Sequence, residues 1–367
     1  MIELSDYATQ ESGFPLLTSS RQGLFVQEDY FIDKQANAET TVFSVLPYGC
    51  ITYRHMSDDN IFHFNINRLV ANGLVSKEYP VFTVRKEVLD TDFLVDTLNS
   101  SPLFSVFCIQ QKKGGTRTRL YFKTLCSYQM FLPVLHEQQV IASFIRLLDK
   151  RIERQMELVE TLKKYKRGVM RAIFRDKAML VSKAAKWKSV RLGTECAFFS
   201  GGTPKSTDSR YYGGTIPFIR SGEIHEEQTE LFLTSEGLRN SSAKMVSKGD
   251  LILALYGATS GEVDISRIDG AINQAILCIR PAEINRIFLK YLLEDSKDDI
   301  LNTYLQGGQG NLSAEIIKSL VVDVPDGRSQ QGIVDFLSVI DQRINNCLSC
   351  LETLMKLRGG LMQQLFI

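Results

Sequence analysis

The sequence is poor in several features that would assign it to a familiar class of protein. No run approaches the roughly 18 apolar residues needed to cross a bilayer, and the N-terminal segment lacks the basic and apolar regions of a signal peptide. We therefore predict a cytoplasmic protein with no membrane partner. The formal net charge is only +1, so the chain is not basic throughout. Any affinity for nucleic acid must then come from local clusters of Lys and Arg.

Histidine is scarce, and neither the cysteines nor the histidines show the spacing of a disulfide framework or a metal centre. The seven cysteines are an odd number and are scattered among apolar neighbours, a pattern that suits reduced thiols. Only Cys347 and Cys350 form a CxxC pair. Because a structural zinc site needs four ligands, two thiols on a helix are the favoured interpretation. The four histidines show no metal-like clustering, and we predict no metal site.

Motifs for cofactor binding are missing as well. An adenine methyltransferase needs a glycine-rich cofactor loop and an Asn/Asp-Pro-Pro-aromatic motif. The sequence has no GxGxxG and no such proline motif, and GxxxxGK(S/T) is also absent. We therefore expect no catalytic residue and no cofactor bound by this chain. A self-contained DNA methyltransferase or nuclease is the alternative function. A structural coiled-coil scaffold is another, although it would leave two large domains without a role.

What the sequence does contain is an internal repeat in a chain of 367 residues, a length that suits two domains. Residues 133–174 align without a gap to residues 325–366, a shift of 192, with 15 of 42 positions identical. Apolar residues recur at alternating steps of four and three in both copies, which is the seam of a coiled coil. The interruptions fall at equivalent places, Gln155 with Cys347 and Lys166 with Arg358.

Neither helix could bury such a one-sided seam alone, so we predict that the two helices pair as an antiparallel coiled coil. The predicted pairing residues are Ile141, Ile145, Leu148, Ile152, Val159, Leu162, Ile333, Leu337, Ile340, Ile344, Leu351 and Leu354.

The regions before the two helices correspond more loosely and give the order domain, helix, domain, helix. We predict a mixed α/β (α+β) fold with a first globular domain at 1–134, a central helical spacer at 135–180, a second globular domain at 187–325 and a C-terminal helical spacer at 328–367. Apolar and β-branched runs predict strands. These are expected at 43–45, 50–53, 81–84, 216–219, 251–255 and 275–279, with helices near 93–99 and 287–294.

Two similar domains on one chain give pseudo-twofold symmetry, which dimeric DNA-binding proteins use to meet two half-sites. The resemblance becomes specific through WKSVRLGTECAFFSGGTPKSTDSRYYGGTIPFIRSGEI, Asn273-Gln274, GGQGNLS, and the PxxxxQQ and D(K/Q)RI motifs of both helices. With these motifs the chain resembles the specificity subunits of type I restriction-modification systems over nearly its whole length.

The resemblance implies two target-recognition domains, each reading half of an asymmetric bipartite site in double-stranded DNA. The paired helices would set the spacer and dock two methyltransferase subunits, and restriction subunits would join the complex. S-adenosylmethionine, ATP and Mg would then be bound by the partner subunits. The first domain departs from the family by lacking counterparts of GGTP and YYGG. The sequence also starts close to Leu4, the counterpart of Leu192, so we expect that the short leader of many relatives is missing or was never there.

Candidate DNA contacts in the second domain begin with the loop 200–205 (SGGTPK), whose glycines would let backbone N–H groups approach phosphate. Such a loop can also be an ordinary turn. Arg suits guanine, and Asn or Gln suits adenine. Asn273-Gln274 could equally satisfy backbone groups before a strand. The candidates are Thr203, Lys205, Tyr211, Tyr212, Arg220, Ser221, Tyr256, Thr259, Asn273, Gln274, Gln306, Gln309 and Asn311.

In the first domain, the segment KKGGTRTR combines flexible glycines with four cations, which indicates phosphate contact. The segment TSSRQG aligns with IRSGEI, so Arg21 and Gln22 are the expected base readers. Tyr53 and Arg54 end a predicted strand and could equally be merely exposed there. The candidates are Ser19, Arg21, Gln22, Tyr53, Arg54, Lys112, Lys113, Arg117 and Arg119. A further basic cluster, residues 163–191, holds eleven basic residues and one acid, although cations near a helix C-terminus also favour its dipole.

Overall fold

The structure is a computed structural model that describes residues 1–30, 42–112, 114, 116–177, 186–304 and 311–366. The chain divides into two compact units, Met1–Glu157 with Ser349–Ile367, and Leu158–Leu348. Each unit contains a mixed α/β domain and part of each of two long helices. The predicted fold class, two similar mixed domains with two long helices, is confirmed.

The first unit is built from short strands and helices. Its strands are β1 (Ile2–Leu4), β2 (Tyr7–Ala8), β3 (Leu17–Ser20), β4 (Gly23–Val26), β5 (Phe43–Pro47), β6 (Ile51–Tyr53), β7 (Met56–Ser57), β8 (Phe64–Ile66), β9 (Asn72–Ser76), β10 (Val81–Thr83) and β11 (Thr118–Arg119). Its helices are α1 (Gln27–Tyr30), α2 (Thr91–Ser100), α3 (Pro102–Gln110), α4 (Phe122–Leu125) and the first part of α5 (Leu135–Phe174).

An antiparallel sheet with strand order β1-β10-β6-β8 forms the centre of this unit. Its apolar face meets α2 and α3 in a core rich in aromatic rings. The ring centroids of Tyr53 and Phe64 are 4.5 Å apart, and Phe64 meets Phe104 of α3 edge-on at 5.7 Å. Offset and edge-on ring pairs add to the stabilisation from apolar burial. Sheet β2-β5-β9, hairpin β3-β4 and ladder β7-β11 complete the unit.

The second unit repeats this design. Its strands are β12 (Lys188–Arg191), β13 (Cys196–Ser200), β14 (Tyr212–Ile219), β15 (Phe232–Leu233), β16 (Lys244–Val246), β17 (Leu251–Ala254), β18 (Val263–Ile265), β19 (Gly270–Ile272), β20 (Ile276–Pro281) and β21 (Val321–Val324). Its helices are the rest of α5, then α6 (Leu192–Glu195), α7 (Ser235–Arg239), α8 (Arg286–Tyr304), α9 (Ala314–Ser319) and the first part of α10 (Gly327–Leu365).

The central sheets of the two units have the same strand order. Sheet β13-β20-β17-β18 is antiparallel like β1-β10-β6-β8, and α8 follows β20 as α2 follows β10. Strands β16 and β19 pair antiparallel, as do β5 and β9. The parallel pairing of β14 with β19 has its counterpart in a parallel bridge between Leu16 and Leu74. The two domains are therefore copies of one fold.

Each long helix begins with a buried glutamine that fixes it to the domain before it. The Oε1 atom of Gln138 accepts a hydrogen bond from the backbone N–H of Asp90 at 2.9 Å. The Oε1 atom of Gln330 accepts one from the backbone N–H of Asn285 at 2.7 Å. Asp90 caps α2, and Asn285 precedes α8. Both glutamines also donate from Nε2 to the carbonyl of a proline five residues earlier, at 2.9 Å. The repeated PxxxxQQ motif thus has a structural role.

The twelve predicted pairing residues are all buried or half-buried. In the first unit, Ala142 and Ile145 of α5 share an apolar cluster with Met362 and Phe366 near the end of α10. In the second unit, the last turns of α5 and the first turns of α10 share another cluster. The coiled-coil pairing along the full length of both helices stays a prediction. No helix within the described ranges is long and apolar enough to cross a membrane.

The predicted strands coincide with β5, β6, β10, β14, β17 and β20, and the two predicted helices with α2 and α8. Strand β17 could be predicted because its sequence LILA is a continuous apolar run, and the structure buries all four of these residues. Two-residue strands such as β7 and β11 were not predicted, because they are too short to show a period of two.

Candidate nucleic-acid interface

In the first unit, the β3-β4 turn, the loop between β7 and β8, and strand β11 line two cavities of about 450 Å³ each. The first cavity brings together the predicted contacts Ser19, Arg21 and Arg54. The second brings together Arg117 and Arg119. The structure therefore gathers cations from distant parts of the sequence around the loop between β7 and β8.

Arg21 lies in the turn of the β3-β4 hairpin and is tied to an aspartate of that loop. Its Nη2 donates to both carboxylate oxygens of Asp59, at 2.6 and 2.5 Å. Ser57 Oγ donates to the same carboxylate at 2.8 Å, and the backbone N–H of Ile61 donates to it at 3.3 Å. The hydrogen bonds from Arg21 and Ser57 hold the pKa of Asp59 well below its usual range. Asp59 is thus an ionised anchor fixed by its own loop.

Arg117 meets the neighbouring aspartate of the same loop. Its Nε donates to Oδ1 of Asp58 at 2.7 Å. The loop is held in shape by Asn60, which has a left-handed φ of 65° and accepts a hydrogen bond from the Thr118 hydroxyl. The β7-β11 ladder pairs Ser57 with Thr118. Two adjacent aspartates therefore hold two arginines that lie far apart in the sequence.

The other first-domain candidates differ in exposure. Gln22, Arg54, Lys112 and Arg119 are exposed. No ion pair of Arg54, Lys112 or Arg119 is found in the described part of the chain. Ser19 is half-buried, and its hydroxyl accepts a hydrogen bond from Asn65 at 2.8 Å. Lys113 lies outside the described residues.

Tyr53 corrects the sequence prediction. Its side chain is 0% exposed, and its hydroxyl donates to the carbonyl of Leu120 at 2.8 Å. Burial raises the pKa of Tyr53. A side chain without accessible surface cannot touch DNA, so the predicted contact is wrong, and Tyr53 belongs to the aromatic core.

In the second unit, the glycines of the loop after β13 are required for packing. A Cβ atom at Gly201 would lie 1.8 Å from the backbone oxygen of Ile272 in β19, and one at Gly202 would lie 1.8 Å from Ser242 Oγ. These glycines let the loop approach β19 and its neighbour, so the turn interpretation accounts for them better than an approach to phosphate does.

The same loop nevertheless presents polar side chains. Thr203 Oγ1 donates to Oε1 of Gln274 at 2.6 Å, which brings together two predicted contacts that are 71 residues apart. The hydroxyl of Tyr212 donates to the carbonyl of Pro204 at 2.8 Å and closes the loop. Lys205 is exposed, and Tyr211 is half-buried.

Arg220 is occupied by acidic partners. Its Nε and Nη2 donate to the two carboxylate oxygens of Glu223, at 3.1 and 3.0 Å, and Nη2 also donates to Glu230 at 2.5 Å. Glu223 accepts the backbone N–H of Arg220 as well, at 3.0 Å. This network braces the loop after β14. Two of the three guanidinium nitrogens of Arg220, the predicted base reader of the second domain, therefore already donate to carboxylates.

The remaining candidates of the second domain are spread over several loops. Asn273 Oδ1 accepts the backbone N–H of Ala275 at 3.0 Å, the structural role that the sequence left open. Tyr256 packs against the core of the unit, and Thr259 ends a short 3-10 turn. The side chain of Ser221 is half-buried, and that of Asn311 is exposed. Gln306 and Gln309 lie outside the described residues.

Part of the basic cluster at 163–191 is neutralised within the second unit. Lys166 is only 8% exposed and forms ion pairs of 2.8 Å with both Glu294 and Asp341. Arg175 pairs with Asp299 at 2.9 Å. Lys166 is therefore held inside the fold and is not available to DNA, whereas Arg175 forms an ion pair at the surface.

Asp58 and Asp59 were not among the sequence candidates. Carboxylates repel phosphate, so the acidic pair in SDDN gives no sequence signal for DNA contact. A pair of acids beside predicted cationic loops could have drawn attention to this segment, but its arginine partners lie 38 and 59 residues away.

Comparisons with known proteins agree with this architecture. The type I restriction modification DNA specificity domain matches residues 72–164 and 185–349. The chain is 23% identical over 319 residues to a putative type I restriction enzyme MjaX specificity subunit of Methanocaldococcus jannaschii, covering 80% of this chain and 73% of the relative. It is 24% identical over 299 residues to the MjaVIII specificity subunit of the same organism, covering 75% and 69%.

Among solved structures, the S subunit of a type I restriction-modification system from M. genitalium matches with a TM-score of 0.60 and 16% identity, over 99% of this chain and 96% of that chain. A chain from a type I system studied for complex assembly and conformational transition matches with a TM-score of 0.58 and 17% identity, over 87% and 82%. The fold is that of the two-domain specificity subunits. The chain belongs to the family of type I restriction modification DNA specificity proteins.

Proposed function

We propose that this chain reads an asymmetric bipartite site in double-stranded DNA, one half with each domain. The observation that carries the proposal is the repetition of one fold with different side chains at equivalent loops. The turn after β3 presents Arg21 and Gln22, whereas the loop after β14 presents Arg220 and Ser221. Because base edges are read by the type of side chain, two such domains would recognise different half-sites.

The contacts proposed for each domain are the predicted residues that remain exposed or half-buried at these loops. In the first domain these are Ser19, Arg21, Gln22, Arg54, Lys112, Arg117 and Arg119. In the second domain these are Thr203, Lys205, Tyr211, Tyr212, Arg220, Ser221, Tyr256, Thr259, Asn273, Gln274 and Asn311.

Repeated apolar side chains on the long helices support the docking of two methyltransferase subunits. Leu147 and Val339 occupy the same repeat position and are 67% and 65% exposed. Phe144 lies one turn before Leu147 on the same face of α5 and is 49% exposed, and its equivalent Phe336 is half-buried beside Val339. Exposed apolar side chains clustered on one surface mark protein contacts. This repeated face, with one copy in each unit, favours one methyltransferase subunit per unit, with restriction subunits joining the complex.

The chain itself is proposed to be non-catalytic. S-adenosylmethionine, ATP and Mg would be bound by the partner subunits. The purified chain should transfer no methyl group from labelled S-adenosylmethionine, and the complex with its methyltransferase subunits should do so. Methylation by the chain alone would contradict the proposal.

The division of reading between the domains is tested by two glutamine variants in the complex. Gln22→Ala should relax one base position of one half-site, and Gln274→Ala should relax one position of the other. Each loss should be about 1–3 kcal/mol of discrimination if the contact is bidentate. Long-read sequencing of the methylated motif measures both, and each variant is the control for the other. Changes in the same half-site would refute one reading head per domain.

A further inference from the structure

Arg21 and Arg117 do not present their charges alone. Each donates to an aspartate of the loop between β7 and β8, and the two aspartates are adjacent in the sequence. Both arginine side chains are nevertheless more than half exposed, at 59% and 54%. The pairs are therefore at the surface, on the walls of the two cavities that gather the predicted DNA contacts.

The carboxylates leave part of each guanidinium open. Asp59 engages Nη2 of Arg21, which leaves the hydrogens of Nε and Nη1. Asp58 engages Nε of Arg117, which leaves both terminal amino groups. Guanidinium carries five N–H donors in a fixed planar fork. Arg117 therefore retains two adjacent donors on Nη1 and Nη2, whereas the free donors of Arg21 on Nε and Nη1 point to opposite sides of the group. Two adjacent donors match both the O6 and the N7 acceptor of guanine, and a single donor reaches one of them.

The charge balance decides between phosphate and base. A cation gains affinity for a phosphate by displacing counterions, whereas an arginine–aspartate pair has no net charge and its carboxylate repels phosphate. Guanine O6 and N7 are neutral acceptors, so the carboxylate does not oppose that contact to the same degree. Asp59 is itself held by Ser57 and Ile61, which restrains Arg21 before DNA arrives and lowers the entropy lost on binding.

We propose that Asp58 and Asp59 are positioning residues that commit Arg117 and Arg21 to guanine edges and leave phosphate contact to unpaired cations such as Lys112. This inference rests on the proposed function, since it requires the first domain to bind DNA. It also changes the role of Arg117, which the sequence alone assigned to phosphate. The half-site of the first domain would then contain two G·C pairs read by these arginines.

The test measures binding of the full chain with its methyltransferase subunits to its own motif and to unrelated DNA over a range of salt concentrations. The variants are Lys112→Ala and two double variants that remove a whole pair without changing the net charge, Arg21→Ala with Asp59→Asn and Arg117→Ala with Asp58→Asn. Lys112→Ala should flatten the slope of log affinity against log salt by about one and leave the motif unchanged. The two arginine variants should leave the slope unchanged and each relax one G·C position, by about 5- to 150-fold for the bidentate contact of Arg117 and by less for Arg21.

The aspartates are tested by Asp58→Asn and Asp59→Asn. Each variant frees an arginine charge without removing its donors, so the salt slope on unrelated DNA should steepen by about one and discrimination between motif and unrelated DNA should fall. Asp92→Asn is the matched control. It removes a carboxylate paired with Arg68 and lying 3.5 Å from Arg146, adds the same charge to the same unit, and should leave the motif unchanged.

Three results separate the possible failures. If the unmodified complex showed no sequence preference, the proposed function would fall. If the complex were specific but both arginine variants flattened the salt slope as Lys112→Ala does, with no position relaxed, the inference would be overturned while the function stood. Unchanged salt slope and motif in folded Asp58→Asn and Asp59→Asn variants, checked by thermal unfolding, would also overturn it.

Discussion

Arg358 of α10 holds Asp149 of α5 with two hydrogen bonds, from Nε to Oδ1 and from Nη2 to Oδ2, the latter at 3.1 Å. In the second unit, Lys166 of α5 pairs with Asp341 of α10 at 2.8 Å. Both partners are equivalent across the repeat, because Asp149 aligns with Asp341 and Lys166 with Arg358. The polar interruption of each apolar seam is therefore a charged link between α5 and α10, made once in each unit.

The two links should differ in strength, because they differ in burial. Lys166 lies 2.8 Å from both Glu294 and Asp341, and Lys290 lies 3.9 Å from each of them. Lys166→Ala would therefore leave two carboxylates with only the more distant cation and should lower the free energy of unfolding by about 2–3 kcal/mol. The Arg358 side chain is 37% exposed, and Arg358→Ala should cost about 1 kcal/mol. Urea unfolding measures both. Lys356→Ala, at an exposed pair with Glu352, is the control and should change little. Equal losses at Lys166 and Arg358 would contradict this assignment.

Asp96 should make stability depend on pH. Burial, together with the carboxylates of Asp92 and Asp149, raises the pKa of Asp96 to about 7. A carboxyl whose pKa is higher in the folded state binds more protons when folded, so its contribution to stability is present at about pH 4 and is lost as pH rises to about 7. Asp96→Asn should therefore raise the free energy of unfolding at pH 8 by on the order of 2–4 kcal/mol and change it little at pH 4. Glu87→Gln, at an exposed position, should leave the profile unchanged. A parallel shift at all pH values would refute the role of Asp96.

The glycine loop of the second domain should respond to added volume. Gly201→Ala places a methyl group against the backbone oxygen of Ile272, which cannot move without displacing β19, and should cost about 1–3 kcal/mol. Gly222→Ala meets nothing within 4 Å and is the control. Thermal unfolding measures the difference. If Gly201→Ala kept full stability and lost only DNA affinity, the glycine would serve phosphate contact after all.

The helices should act as a ruler for the spacer between the half-sites. Four residues inserted in α5 between positions 153 and 161 add roughly 6 Å at about 1.5 Å per residue, and DNA advances about 3.4 Å per base pair. The links at Asp149 and Lys166 require a matching insertion in α10 between positions 345 and 353. We expect the doubly extended chain to methylate sites whose spacer is longer by about one or two base pairs, with both half-sites unchanged.

Two control insertions accompany this experiment. Four residues added to α5 alone should weaken assembly, because one of the two ion pairs loses its register. Two residues added to each helix rotate the apolar seam by about half a turn and should abolish assembly. An unchanged spacer in an active, doubly extended variant, or altered half-site bases, would refute the ruler function. Long-read sequencing of the methylated motif reports both outcomes.

The sequence by itself determined the helices and the repetition of the two domains. A helix has a period short enough to read from local spacing, so the seam from Ile141 to Leu162 was visible without any tertiary information. The repeat also identified which positions break the seam, Lys166 and Arg358 among them. The resemblance to specificity subunits rested on these same local motifs.

Only the tertiary structure decided what the loop residues do. Arg21 meets Asp59, and Arg117 meets Asp58, across separations of 38 and 59 residues, because strand pairing brings hairpin β3-β4, the loop after β7 and strand β11 together. The same is true of Tyr53, whose strand β6 lies inside a four-stranded sheet and turns that side chain into the aromatic core. Strand order depends on contacts between distant segments, and local residue patterns do not encode it. The helices and the repeat could therefore be read from the sequence, whereas the charge partners of the candidate DNA contacts could not.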